Sequence, residues 1–165
     1  MTEARVRLWP WLSLAGVVLV ADQISKWLVV SNLELGERVQ LLPVFSWVRW
    51  HNDGAAFSMF SGSGGRWFFV ALAAGFAVFI VYELRRLPVP GRLMGWAYAL
   101  ILGGALGNGV DRLSLGYVVD FTLVHYGEWY FPAFNVADAS LTVGAGCWLL
   151  AMLLDYLHQR RAPAA

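Results

Sequence analysis

Aspartates at positions 22, 111, 120 and 138 lie in or beside long apolar runs, an expensive setting for an ionisable side chain. Two carboxylates brought close together cannot both ionise cheaply, so such a pair holds one proton between them. One member then serves as a general base towards water and the other as a general acid towards a leaving group, the chemistry of aspartic proteases. Spacing alone does not say which two of Asp22, Asp111, Asp120 and Asp138 make the pair.

The neighbours of these acids have simpler roles to weigh against chemistry. Asp22 and Lys26 are four apart, share a helix face and read as a structural ion pair. Ser25 and Lys26 are adjacent, so they point about 100° apart on a helix and make a poor serine and lysine hydrolase. Asp111 and Arg112 read as a polar cluster closing a helix. Asn135 and Asp138, three apart, read as a helix cap, with Asn135 bonding backbone N–H groups and Asp138 complementing the dipole. Capping and catalysis are compatible, because a helix N-terminus favours the ionised carboxylate. One cysteine, Cys147, and three scattered histidines, His51, His125 and His158, offer no metal-ligand spacing, so no metal is expected.

The elements that position these groups follow from composition. Of 165 residues 59% are hydrophobic and 14% charged, which points to a bilayer rather than to a soluble fold. The expected class is an all-α integral membrane protein, a single domain over residues 1–165. Apolar runs at Leu8–Val30, Trp67–Leu84, Met94–Val110 and Ala137–Leu157 approach the roughly 20 residues needed to cross the hydrocarbon. Arg5 and Arg7 before the first run resemble the start of a secretory signal. The run continues past Asp22 and Lys26 to Val30 without a cleavage pattern, so a retained span is expected. Ala145-Gly146-Cys147 resembles the end of a lipoprotein processing signal, but it lies in the last apolar run and reads as coincidence.

Arginines at 5, 7, 85, 86, 92, 160 and 161 fall on one side of four crossings, which the positive-inside rule assigns to the cytoplasm. Both termini are then cytoplasmic, and Ser31–Arg66 and Asp111–Val136 face outwards. Asp22, roughly 21 Å along its helix from Leu8, reaches the outer layer. Asn108, Asp111 and Arg112 end the third span, and Asn135 and Asp138 begin the fourth, at the same level. Between Val39 and Phe60 the Val, Phe and Trp content predicts a small hairpin turning at Asn52-Asp53-Gly54. Trp47, Trp50, Phe57, Phe60, Trp67 and Phe68 suit an aromatic belt at the headgroups. Gly62, Gly64 and Gly65 would permit movement before the second span. Nothing calls for a nucleic-acid partner, because no single basic stripe exists.

Taken in order, several segments resemble those of signal peptidase II, the prokaryotic lipoprotein signal peptidase. They are Asp22 to Lys26, Asn52-Asp53-Gly54-Ala55-Ala56-Phe57, Gly107-Asn108-Gly109-Val110-Asp111-Arg112, Val118-Val119-Asp120-Phe121 and Phe134-Asn135-Val136-Ala137-Asp138. The resemblance spans essentially the whole chain. It implies that Asp120 and Asp138 are the catalytic aspartates, with no metal or organic cofactor. It also implies that Asp22, Lys26, Asn52, Gly54, Asn108, Asp111, Arg112 and Asn135 shape and polarise the site. The implied substrate is a prolipoprotein cut just before a cysteine carrying diacylglycerol, entering sideways from the bilayer of the bacterial inner membrane. The implied active site lies near the outer face of a monomer. Variation falls at Asp53, Gly109 and Val110, where Asp53 adds an acid beside the site. A proton-coupled carrier using the same acids is the alternative; it needs polar groups through the whole bilayer, and the inner halves of the spans nearly lack them. A purely structural subunit leaves the convergence of acids at one depth unexplained.

Overall fold

A computed structural model of the protein describes residues 8–54, 63–87 and 92–161. Among these, four helices are long and apolar enough to cross a membrane: α1 (Trp9–Asn32), α2 (Ser63–Arg86), α3 (Arg92–Ser114) and α4 (Val136–Arg161). Each runs a few residues past its apolar core, because polar residues such as Asp111 and Arg112 find partners and stay helical instead of entering the connection. Proline in the first turn of α1 has no N–H to leave unsatisfied and is preset for helix.

The hub is α3, which packs against all three other helices and has half of its span buried. Glycine makes the approach possible. A Cβ at Gly103 would stand 2.6 Å from Val18 of α1, and one at Gly104 would stand 2.5 Å from the Ala137 carbonyl of α4. At the end where α2 finishes and α3 begins, Ala15, Ile80, Leu84, Leu87, Tyr98 and Leu102 form an apolar cluster. Arg85, Arg86, Arg92, Arg160 and Arg161 fall at this same end. Arg5 and Arg7 lie outside the described residues.

The other end carries an antiparallel sheet in the order β1 (Arg38–Leu42), β2 (Phe45–Asn52), β3 (Val118–Tyr126) and β4 (Trp129–Tyr130). Sequence foresaw a hairpin here but misplaced its turn. The chain reverses at Pro43-Val44, where proline presets φ and needs no ladder partner, and β2 then runs without interruption to Asn52. Asn52-Asp53-Gly54 is instead the exit from the sheet: the Asn52 side chain accepts the Gly54 N–H at 3.1 Å. Ala55, Ala56, Phe57, Phe60 and Gly62 lie outside the described residues. β3, read from the sequence only as part of a connection, is the central buried strand, since it faces both β2 and the ends of α1 and α3. Arginines anchor the helix ends to this layer. Arg49 donates to the carbonyls of Val30 and Leu33 at the end of α1, and Arg66 to that of Leu113 at the end of α3. Gly116, at φ +92, turns the chain out of α3 in a conformation that a side chain would strain.

Candidate active site

Strand register delivers the first acid. Asp120 of β3 stands opposite Trp50 of β2, and two residues further on the Asn52 amide donates to Asp120 Oδ2 at 3.0 Å. The second acid comes from the start of α4, where Asn135 and Asp138 cap each other. The Asp138 N–H donates to Asn135 Oδ1 at 2.9 Å, and the Asn135 N–H to Asp138 Oδ2 at 3.2 Å. The cap read from their three-residue spacing is thus present. Having given its oxygen to the helix, Asn135 turns its amide nitrogen to Asp120 Oδ1 at 2.8 Å.

Below the two acids lies a buried ion cluster. Lys26 pairs with Asp22 at 2.8 Å, as the four-residue spacing predicts, and also with Asp111 at 2.9 Å. Asparagine at position 22 would therefore not leave Lys26 unpaired, the outcome the sequence suggests, because α3 supplies a second carboxylate. Lys26 also donates to Asn108 Oδ1 at 3.0 Å, and Asn108 donates to Asp138 Oδ1 at 2.7 Å. Asp22 accepts the Ala137 N–H and Asp111 the Val119 N–H, so the first ties α1 to α4 and the second α3 to β3. Gly107 admits Asp22, since a Cβ there would stand 2.6 Å from Asp22 Oδ2. Arg112 donates to the Gly54 carbonyl at 2.9 Å with its guanidinium 4.5 Å from the Phe69 ring. All ten residues singled out from the sequence thus meet in one contiguous layer.

Burial raises the Asp120 carboxyl from 3.8 to about 7, and the Asp138 charge adds to the rise; Asn52, Asn135 and Lys26 oppose it. Both acids line a cavity of about 770 Å³, walled by Trp50 to Asp53 on one side and Phe131 to Phe134 on the other. A second cavity, about 330 Å³, shares Asn52 and Asp138 with the first and runs between Phe69, Leu72 and Phe76 of α2 and Ile101 of α3. Among the described residues, no group of three or more His, Cys, Asp or Glu side chains is arranged to hold a metal.

Two contributors escaped the sequence reading. Gln23 donates to Asp22, to the Gly107 carbonyl and to Asp111 at 2.9 to 3.2 Å, joining α1 to α3. A glutamine at membrane depth beside an aspartate was the available signal. His51 stacks on Tyr117 with ring centroids 3.7 Å apart, and burial followed by Arg49 lowers its pKa. No pattern in the sequence marks that pairing.

Fold and site together define a class: an integral membrane protein with two aspartates held by amides in a cavity at one end of its helix bundle. Known proteins narrow that class. A sequence profile of signal peptidase (SPase) II matches residues 14–154. A lipoprotein signal peptidase of Acinetobacter baumannii is 43% identical over 92% of this chain and 86% of its own length. One from Shewanella pealeana is 47% identical over 86% and 84%. A solved structure described as a bacterial membrane enzyme superposes with a TM-score of 0.87 over the whole of both chains at 27% identity. A second reaches 0.80 over 93% of this chain at 29% identity. The chain belongs to the signal peptidase II family, and so is a membrane peptidase.

Proposed function

We propose that the protein removes the signal peptide of diacylglyceryl-modified prolipoproteins, cutting before the lipidated cysteine, and that Asp120 and Asp138 carry the reaction. The observation that supports this best is their placement: both acids line one cavity, and each is held by an amide from another element. A water between them loses its proton to the ionised aspartate while its oxygen attacks the scissile carbonyl. The protonated aspartate donates to the carbonyl oxygen, giving a neutral tetrahedral diol. Collapse then breaks the C–N bond as a proton passes to the leaving amine. No metal or organic cofactor takes part in this scheme.

Asp22, Lys26 and Asp111 fix the backbone around the pair, while Asn52, Asn108 and Asn135 bond the acids directly. Arg112 and Gly54 hold the exit of β2 over the smaller cavity. That cavity's apolar walls suit an acyl chain, with about 0.8 kcal/mol for each CH2 buried. Substrate enters sideways from the outer leaflet, with both termini of the enzyme cytoplasmic and the enzyme working as a monomer of one domain. The test is cleavage of a diacylglyceryl precursor and its unlipidated form by the purified protein. Release of signal peptide from the lipidated form alone is expected, and equal cleavage of both would refute lateral entry.

A further inference from the structure

Three carboxamides surround the aspartate pair, and each has its orientation forced. The oxygen of Asn52 accepts the Gly54 N–H and that of Asn135 accepts the Asp138 N–H. The oxygen of Asn108 accepts the Lys26 ammonium, which has donors and no acceptor. None of the three can flip without opposing donor to donor, so all three present N–H to the carboxyls. Two of these locks are neutral backbone N–H groups. The third is a cation, and the amide it locks donates to Asp138; the same Asn108 oxygen also accepts the Asn135 amide at 3.3 Å.

The acids differ in a second respect. Asp138 stands in the first turn of α4, where the helix dipole favours negative charge, and it accepts the Asn135 N–H. Asp120 stands on a strand, which carries no comparable field. Other groups around the pair are Asp22 of α1, His51 of β2, Asp53 at its exit, and Asp111 and Arg112 of α3. Asp22 and Asp111 both contact Lys26, which offsets one of their two charges there. Arg112 bonds the Gly54 carbonyl, not either acid.

From this asymmetry we infer that Lys26, acting through Asn108, fixes Asp138 as the ionised base and leaves the shared proton on Asp120. Lys26 is on this view a positioning residue whose charge reaches the reaction through one amide. The high Asp120 pKa, about 7, agrees with the assignment. The inference rests on the aspartic reading above. It turns Lys26 from a structural partner of Asp22 into a determinant of the pH at which the enzyme works.

The experiment is the pH profile of kcat/KM for a diacylglyceryl precursor, using the full chain in detergent micelles. Asn108→Ala removes the donor to Asp138 and leaves Lys26 with both carboxylates, and thermal melting in the same micelles selects the folded protein from which the profile is read. Its acid limb is expected to move up by about one pH unit, the size of one charge-assisted hydrogen bond. Lys26→Met should move that limb in the same direction, and should add little when combined with Asn108→Ala. An acid limb that stays in place in folded Asn108→Ala overturns the inference, whatever happens to the maximal rate. So does a Lys26→Met shift that adds in full to that of Asn108→Ala. The dyad itself is checked separately: if Asp120→Asn and Asp138→Asn both cleave normally, it is the aspartic reading that has failed.

Discussion

The two ends of the helix bundle are held together by opposite means. At the arginine end, Ile80, Leu84 and Leu102 are almost fully buried among other apolar side chains. At the sheet end, Asp22, Lys26, Asn135 and Asn108 are just as buried and are held by directed bonds. Apolar contacts are many and individually weak, so loss of one is graded. A buried polar network loses more than one bond when a member is removed, because its neighbours are left unpaired. The contrast separates an end held by apolar packing from the end that carries the two cavity-lining aspartates.

Replacing either acid at the sheet end should give the largest effect. Asp120→Asn or Asp138→Asn should lower cleavage by about 10²-fold to 10⁴-fold in protein that still folds. Near wild-type turnover in either one, measured per folded molecule, would show that the pair is wrongly chosen. The same variants carry a pH signature. A folded-state pKa of about 7 against 3.8 means that the native fold of wild type holds a proton at Asp120 that the unfolded chain has released. Asp120 therefore costs nothing below about pH 4, and its cost grows up to about pH 7 and stays above it. Asp120→Asn should accordingly gain melting temperature relative to wild type as pH rises from 5 to 8. A difference that does not change with pH would remove the argument.

At the opposite end, Leu84→Ala opens a cavity in the apolar cluster and should cost about 2 to 5 kcal/mol of stability. Its turnover per folded molecule should be unchanged; a loss of turnover would mean that the two ends are coupled. Gly107→Ala tests the seam between them, since the added carbon meets the Asp22 carboxylate at 2.6 Å. A loss of about 1 to 3 kcal/mol is expected, whereas Gly146→Ala, within α4 and with open space around it, should cause no loss and gain up to about 1 kcal/mol. Asp22→Asn should have a smaller effect than deletion of a lone buried partner, because Asp111 keeps Lys26 paired. Thermal unfolding of Asp22→Asn and Asp111→Asn beside the double variant measures this. Additive losses would mean that the two carboxylates do not substitute for each other.

The helices were legible because a bilayer imposes a length that soluble folds lack, so four apolar runs of the right size predict the bundle. The polar layer was legible for the same reason: a charged side chain at that depth needs a partner. β3 was not. Val118-Val119-Asp120-Phe121 has no polar and apolar alternation, since all four residues are buried and neither face is left to solvent. The turn at Asn52-Asp53-Gly54 was over-read because the same side-chain geometry that closes a hairpin also serves to leave a sheet. The link between Lys26 and Asp111 was invisible, as nothing in a single chain reports which of two nearby acids a lysine will share.

The bond between Asn52 and Asp120 joins residues 68 apart in the chain. During synthesis β2 therefore emerges long before β3, and α2 and α3 must be threaded across the membrane in between. For that interval one side of β2 is an unpaired edge, the kind of surface that invites pairing with another chain. β1 blunts the other side early, since it pairs with β2 through a two-residue reversal. Leu41, Leu42, Val44 and Trp47 are exposed in the finished molecule, and they give the waiting hairpin an apolar surface with which to rest at the lipid interface. Strand order thus makes maturation of the cavity a late event in biogenesis: it stays incomplete until β3 and the start of α4 have arrived.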